Sequence, residues 1–175
     1  MAQNSPPKVL RVLMICLGNI CRSPTAQAVF EKHIESKGLE KLIEVDSAGT
    51  GGYHIGEKPD PRSMEAAAAR AYSLDHIRSR KVDDSDYEQF DYILAMDKNN
   101  LRDMQAQCPP QHQSKLRLFL EYGDSNQHSV PDPYYTSGNG FDIVLDLVEG
   151  ASAGLLQQII GQHLPHLNLS DPHTD

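Results

Sequence analysis

Two signals of opposite kind meet within the first two dozen residues. Val9-Leu10-Arg11-Val12-Leu13-Met14-Ile15 is an apolar run that reads as a buried strand. Ser23-Pro24 opens a helical pattern, with proline where the first turn tolerates it. Between them Cys16–Ser23 reads C-L-G-N-I-C-R-S, a tight loop that holds a cysteine and an arginine. A strand, a short loop and a helix start form an anion site with a nucleophile in it.

The rest of the chain repeats the alternation. Residues 24–37 place Ala26, Val29, Phe30 and Ile34 near helical spacing, and Gly38 follows as a C-cap. Ile43–Ala48 reads as a second strand, ended by Gly49-Thr50-Gly51-Gly52. An alanine-rich helix is expected over 61–72, led by Pro61. Tyr92–Met96 is a short buried strand, and Asp97 is a natural N-cap for the helix after it. Leu116–Leu120 is a fourth strand candidate. The longest amphipathic helix is expected over 142–163, weakened in its middle by Gly150 and Gly154. Strands alternating with helices imply a parallel sheet covered on both faces. Ligands of such sheets sit at the carboxyl ends of the strands, where Cys16, Ser47, Asp97 and the loop after Leu120 all fall.

At 175 residues the chain fits one domain with one sizeable core. Its unbroken apolar runs fall far short of the ~20 residues of a membrane span. Its first residues lack an apolar signal core, so a cytoplasmic location is expected. A net charge of −8 suits neither nucleic acid nor global steering of a phosphorylated substrate. Anion binding must therefore be local. Three cysteines, Cys16, Cys21 and Cys108, are not a disulfide framework, and no Cys/His spacing suggests a metal site. His112, His128, His163, His166 and His173 lie in polar or terminal surroundings and read as surface residues. Residues 1–7 and 164–175 are short polar ends, expected to be flexible around a domain over 8–163.

A phosphate monoester is a dianion, and the loop suits it. Leu17, Gly18, Asn19, Ile20 and Cys21 can turn backbone N–H groups inward as a nest. Gly18 permits a positive φ and Asn19 tolerates one. Arg22 can hold two phosphoryl oxygens with its planar fork. The same field favours a Cys16 thiolate. Ser23 can donate to that thiolate, cap the helix, or do both.

This octapeptide resembles the signature of the low-molecular-weight protein-tyrosine phosphatases. The likeness extends through Asp46–Thr50, Tyr53–Gly56, Pro59–Arg62, Met96–Leu101 and Asp132-Pro133-Tyr134-Tyr135, in that family's order. The Cys loop followed by D-P-Y-Y 116 residues later is the specific part. The resemblance implies a single three-layer α/β/α domain, flavodoxin-like or Rossmann-like, with a four-stranded parallel sheet. It implies hydrolysis of phosphotyrosine in proteins, and of small aryl phosphates, without a cofactor. Cys16 would form a cysteinyl-phosphate, Arg22 would stabilise the transition state, and Asp132 would serve as acid and then base. Tyr53, Tyr134 and Tyr135 would wall the slot, and Ser47 and Asp97 would support it. Cys21 would guard Cys16 by forming a reversible disulfide under oxidation. The partners would be tyrosine-phosphorylated proteins, and the chain a monomer or weak self-associator. His76 matches a region in which the family has a structural histidine. Two other readings stay open on the residues alone. One is thioredoxin-coupled arsenate reduction, which needs further cysteines that residues 75–91 lack. The other is an oxidant-sensing anion-binding module, which would not require Asp132.

Overall fold

The computed structural model describes residues 9–133 and 139–163. Four strands form one sheet: β1 (Leu10–Cys16), β2 (Ile43–Gly49), β3 (Tyr92–Ala95) and β4 (Leu116–Leu118). Their order is β2-β1-β3-β4 and every pairing is parallel, as the alternation implied. Among the described residues there are five α-helices: α1 (Arg22–Ser36), α2 (Pro61–Ala68), α3 (Asp86–Gln89), α4 (Lys98–Gln107) and α5 (Gly140–His163).

The side-chain alternation of β1 divides the core in two. Leu10, Val12, Met14 and Cys16 face α1 and α5, packing on Val29, Phe30, Val148 and Leu155. Leu13 and Ile15 face the other way, onto Tyr87, Phe90 and Met104 of the α3–α4 layer. β1 is an inner strand, so it is apolar on both faces. The chain runs out to β2 on one side of β1 and returns to β3 on the other. The crevice where direction switches, at the carboxyl ends of β1 and β3, is the natural ligand position.

Several boundaries differ from expectation. The helix after the Cys loop begins at Arg22 with Cys21 at the N-cap, so Ser23 is not the cap residue. Gly38 does take a left-handed conformation, φ +68°, just past that helix. α2 stops at Ala68 rather than residue 72, and the chain turns away with Ala71 at φ +66°. β4 ends at Leu118, and Phe119–Tyr122 winds into a 3-10 turn instead of extending the strand. The one-turn α3 and a 3-10 segment over Pro110–Lys115 were not expected. α5 is long and apolar enough, by length and composition, to cross a membrane. Counting unbroken apolar runs missed this, because isolated polar residues break the runs while Ile, Val and Leu sustain the average. Here its Val144, Val148, Ala151, Leu155 and Ile159 lie in the core.

Candidate active site

β1 delivers Cys16 to the carboxyl edge of the sheet, where it is buried. The chain then turns sharply, with Asn19 at φ +55°. Of the two residues able to take a left-handed position, Asn19 does so and Gly18 does not. A Cβ on Gly18 would lie 3.1 Å from His54 Cδ2, a tight contact with that wall of the cleft. The loop carbonyls are tied outward. The N–H groups of Thr50, Gly51 and Asp60 donate to the carbonyls of Cys16, Leu17 and Ile20 at 2.9, 3.0 and 2.7 Å. The Ser79 hydroxyl donates to the Gly18 carbonyl at 2.9 Å. The opposite, N–H side of the loop then turns toward the thiol, and Asn19 N–H donates to Cys16 Sγ at 3.2 Å.

Arg22 opens α1 and is buried. Its Nη1 donates to Asp97 Oδ2 at 2.7 Å and to the Val130 carbonyl at 3.1 Å. Its Nη2 lies 3.7 Å from Asp132 Oδ2. Burial alone would lower the guanidinium pKa, but the charges of Cys16, Asp97 and Asp132 hold it above its ordinary value. Arg22 is a fixed cation, and the acid loop carrying Val130 and Asp132 is drawn to it. Asp97 caps α4 as expected, Oδ1 accepting from Asn100 N–H at 2.7 Å, while its other oxygen holds Arg22.

The amide of Asn19 fixes the direction of the bonds around the thiol. Arg80 N–H donates to Asn19 Oδ1 at 3.0 Å, so the NH2 group must point the other way. It donates to Ser23 Oγ at 2.8 Å and to Ser47 Oγ at 3.0 Å. Ser23 Oγ lies 2.9 Å from Cys16 Sγ, and against a thiolate, which only accepts, the Ser23 hydroxyl is the donor. Of the two roles open to Ser23 in the sequence, the cap falls to Cys21 and the distance to the sulfur suits donation to a thiolate. Ser47 supports the loop through Asn19, as the resemblance implied.

These residues open on a cleft of 380 Å³. Cys16, Arg22 and Asp132 lie in its lining, with Leu17, Gly18, Ile20 and Cys21 of the loop beside them. Tyr53 and His54 form a wall, Tyr53 with 76% of its surface exposed. His54 Nδ1 is held by Glu57 Oε2 at 2.8 Å. Tyr134 and Tyr135 lie outside the described residues. A larger cleft, 590 Å³, sits at the amino ends of β3 and β4, between Tyr92, Lys115 and His163, away from this chemistry.

Cys21 accepts from Ser63 Oγ at 2.9 Å. Burial pushes its thiol up to about 12, the nearby Cys16 charge adds to this, and Ser63 offsets part of it. Cys108 lies in the second core, behind the sheet. His76 stands half exposed and pairs with Glu31 at 2.7 Å, with no contact to the loop. Among the described residues no cluster of three His, Cys, Asp or Glu side chains could hold a metal ion. Sequence reasoning missed Val130 and Ser79, the first acting through its carbonyl and the second from 61 residues away. It also missed Gln27, for which the helical i, i+4 spacing from Ser23 was the available signal.

Comparison with known proteins agrees with this geometry. Residues 11–164 match the family model described as low molecular weight phosphotyrosine protein phosphatase. A low molecular weight protein-tyrosine-phosphatase of Streptomyces coelicolor is 42% identical over 153 residues, covering 85% of this chain and 93% of its own. The human low molecular weight phosphotyrosine protein phosphatase is 38% identical, covering 76% of this chain and 85% of its own. The crystal structure of YfkJ from Bacillus subtilis superposes with a TM-score of 0.85 at 38% identity, over 91% of this chain and 99% of that one. These matches favour the phosphatase reading over arsenate reduction and oxidant sensing. With its parallel sheet, its Cys loop and its acid loop in that family's order, the chain belongs to the low molecular weight phosphotyrosine protein phosphatases.

Proposed function

We propose that this chain hydrolyses phosphotyrosine in proteins through Cys16, Arg22 and Asp132. The observation that carries the reading is the convergence of thiol, guanidinium and carboxylate on one cleft, from residues 16, 22 and 132. The Cys16 thiolate attacks phosphorus and the bond to the phenolic oxygen breaks. Asp132, protonated, gives its proton to that oxygen and the phenol leaves. The Asp132 carboxylate then takes a proton from water as the water oxygen attacks the cysteinyl-phosphate. The phosphorus–sulfur bond breaks, the thiolate returns and phosphate departs. Ser23 donates to the sulfur in both its free states, which eases departure in the second step. Arg22, anchored through Nη1, offers its remaining edge to the phosphoryl oxygens, where charge builds in both transition states. Tyr53 supplies an aromatic wall for a phenyl ring, with Tyr134 and Tyr135 its proposed companions. A Vibrio vulnificus relative, 27% identical, has been crystallised with benzylphosphonate, an aryl-bearing phosphonate that suits such a slot. Small aryl phosphates should turn over too, because the loop reads the phosphoryl group.

The same reading covers regulation and setting. Under peroxide, Cys16 oxidised to a sulfenic acid would be attacked by Cys21, releasing water and leaving a disulfide. Because the Cys21 thiol is held protonated by burial, closure requires the loop to open first. The chain is placed in the cytoplasm, acting on tyrosine-phosphorylated proteins as a monomer or weak self-associator.

Turnover of para-nitrophenyl phosphate tests the mechanism. Cys16→Ser should abolish it. Asp132→Ala should slow it by about 100-fold or more while leaving inhibition by phosphate nearly unchanged. Hydrolysis by Cys16→Ser at the wild-type rate would sink the proposal.

A further inference from the structure

The bonds that orient Ser23 do not stop at Ser47. The Ser47 hydroxyl is buried and donates to Gln27 Oε1 at 2.6 Å. Gln27 is itself buried on α1. Its Nε2 donates to Glu31 Oε1, one turn further along the helix, at 2.8 Å. The second oxygen of Glu31 meets His76 Nε2 at 2.7 Å at the surface.

We propose that Gln27 and Glu31 are positioning residues for the nucleophile, fixing the proton order of a relay that runs from the surface of α1 to Cys16.

The reasoning is one of donor and acceptor supply. An ionised carboxylate only accepts. Glu31 therefore forces the NH2 end of Gln27 toward itself and its carbonyl toward Ser47. That carbonyl takes the Ser47 proton. Ser47 Oγ then has only lone pairs to show Asn19, so it receives the Asn19 NH2. Asn19, held at its other end by Arg80 N–H, shares that NH2 with Ser23. Ser23 is left with one proton and one place to send it, the Cys16 sulfur. Arg80 fixes which way the Asn19 amide faces, and Gln27 fixes that Ser47 receives from it. With Gln27 removed, Ser47 loses the acceptor for a buried proton, and its hydroxyl is free to turn away from the Asn19 NH2. The Asn19 amide is then free to shift from Ser23, and the sulfur loses a committed donor. Networks of this kind are worth more intact than as separate pairs.

This inference rests on Cys16 being the nucleophile, and the experiment separates the two. Three quantities are measured for each variant: kcat on para-nitrophenyl phosphate, inhibition by inorganic phosphate, and the rate of iodoacetate alkylation of Cys16. Gln27→Ala should lower kcat and alkylation together, each by about tenfold, the size outer-shell partners usually carry. Phosphate inhibition should stay within about twofold, because the N–H nest and Arg22 are untouched. The exchange Gln27→Glu with Glu31→Gln keeps the direction of every bond. The introduced carboxylate still accepts from Ser47, and the introduced amide donates to it. This double variant should recover both rates, whereas Gln27→Glu alone sets two carboxylates together and should not. Unchanged alkylation in Gln27→Ala would overturn the inference, whether or not its melting temperature falls. So would a double variant as impaired as the single one. If Cys16→Ser remains active, the nucleophile assignment fails first and independently.

Discussion

Asp97 carries two duties on two oxygens, and they can be measured apart. Oδ1 caps α4 and Oδ2 holds Arg22. Asparagine caps a helix about as well as aspartate but brings no charge. Asp97→Asn should therefore leave the cap and weaken the hold on a buried guanidinium. Turnover should fall and stability drop by about 3 kcal/mol, as for a broken buried pair. The further step to Asp97→Ala removes the cap and should cost only about 1 kcal/mol more. Denaturant titration of the two variants checks this, and equal stability of Asp97→Asn and wild type would refute it. Such dual use explains how much of the site could be read in advance. Cys16, Arg22, Asn19, Ser47, Asp97 and Asp132 are chemistry-bearing side chains placed at strand ends or in one loop, and that pattern is visible in one dimension. Val130 offers only a carbonyl, and Ser79 is one serine among many. Their roles arise from where the fold brings them, which no local pattern encodes. Gly18 and Asn19 were both legible as residues able to take the left-handed turn position, and the fold decides that Asn19 takes it.

At the scale of elements, α5 shows why two glycines in one helix need not mean the same thing. A Cβ on Gly154 would fall 1.8 Å from the Tyr122 carbonyl oxygen, so the helix backbone touches the 3-10 turn directly. Gly150, one turn earlier, has nothing within 4 Å of such a Cβ and is exposed. Gly150→Ala should stabilise the protein by about 0.5–1 kcal/mol through helix propensity alone. Gly154→Ala must push helix and turn apart and should destabilise it by about 3 kcal/mol. Thermal melts of both variants decide the point, and a shift of the same sign in both would refute the packing argument. The same contact accounts for the shortened fourth strand. Phe119 and Leu120 are buried under α5, and the chain coils there to meet the glycine face. In sequence, Leu116–Leu120 looks like five strand residues, because the partner that bends the last of them lies over 30 residues away. The other strands and the long helices were legible because their periodicity is local. The four-residue α3 is too short to have one.

Across the whole molecule, three weak acids sit in three different parts of the packing. Cys21 lies under the phosphate loop, Tyr87 in the α3–α4 core, and Tyr122 against the α5 core. Burial comes first among the causes for all three, and each is pushed up to about 12. Their ordinary values are 9.0 for the thiol and 10.0 for the phenols. An acid with a raised folded pKa holds its proton longer when folded than when unfolded, so stability falls as pH rises. The contribution is complete below pH 9 and is lost between pH 9 and about 12, Cys21 first and the tyrosines from about 10. For Cys21 the full loss is about 4 kcal/mol. Unfolding free energy, measured by denaturant at steps from pH 7 to 11, should be level on this account up to pH 9 and then decline. Cys21→Ala should make the decline between pH 9 and 10 shallower, leaving there only Cys108, whose thiol burial also raises, before the phenols begin to ionise in the unfolded chain. Because each acid is embedded in a different layer, the decline should appear as one cooperative transition at lower denaturant, with no separate loss of the loop. A wild-type curve that stays level through pH 11, or a Cys21→Ala curve as steep as wild type between pH 9 and 10, would contradict it.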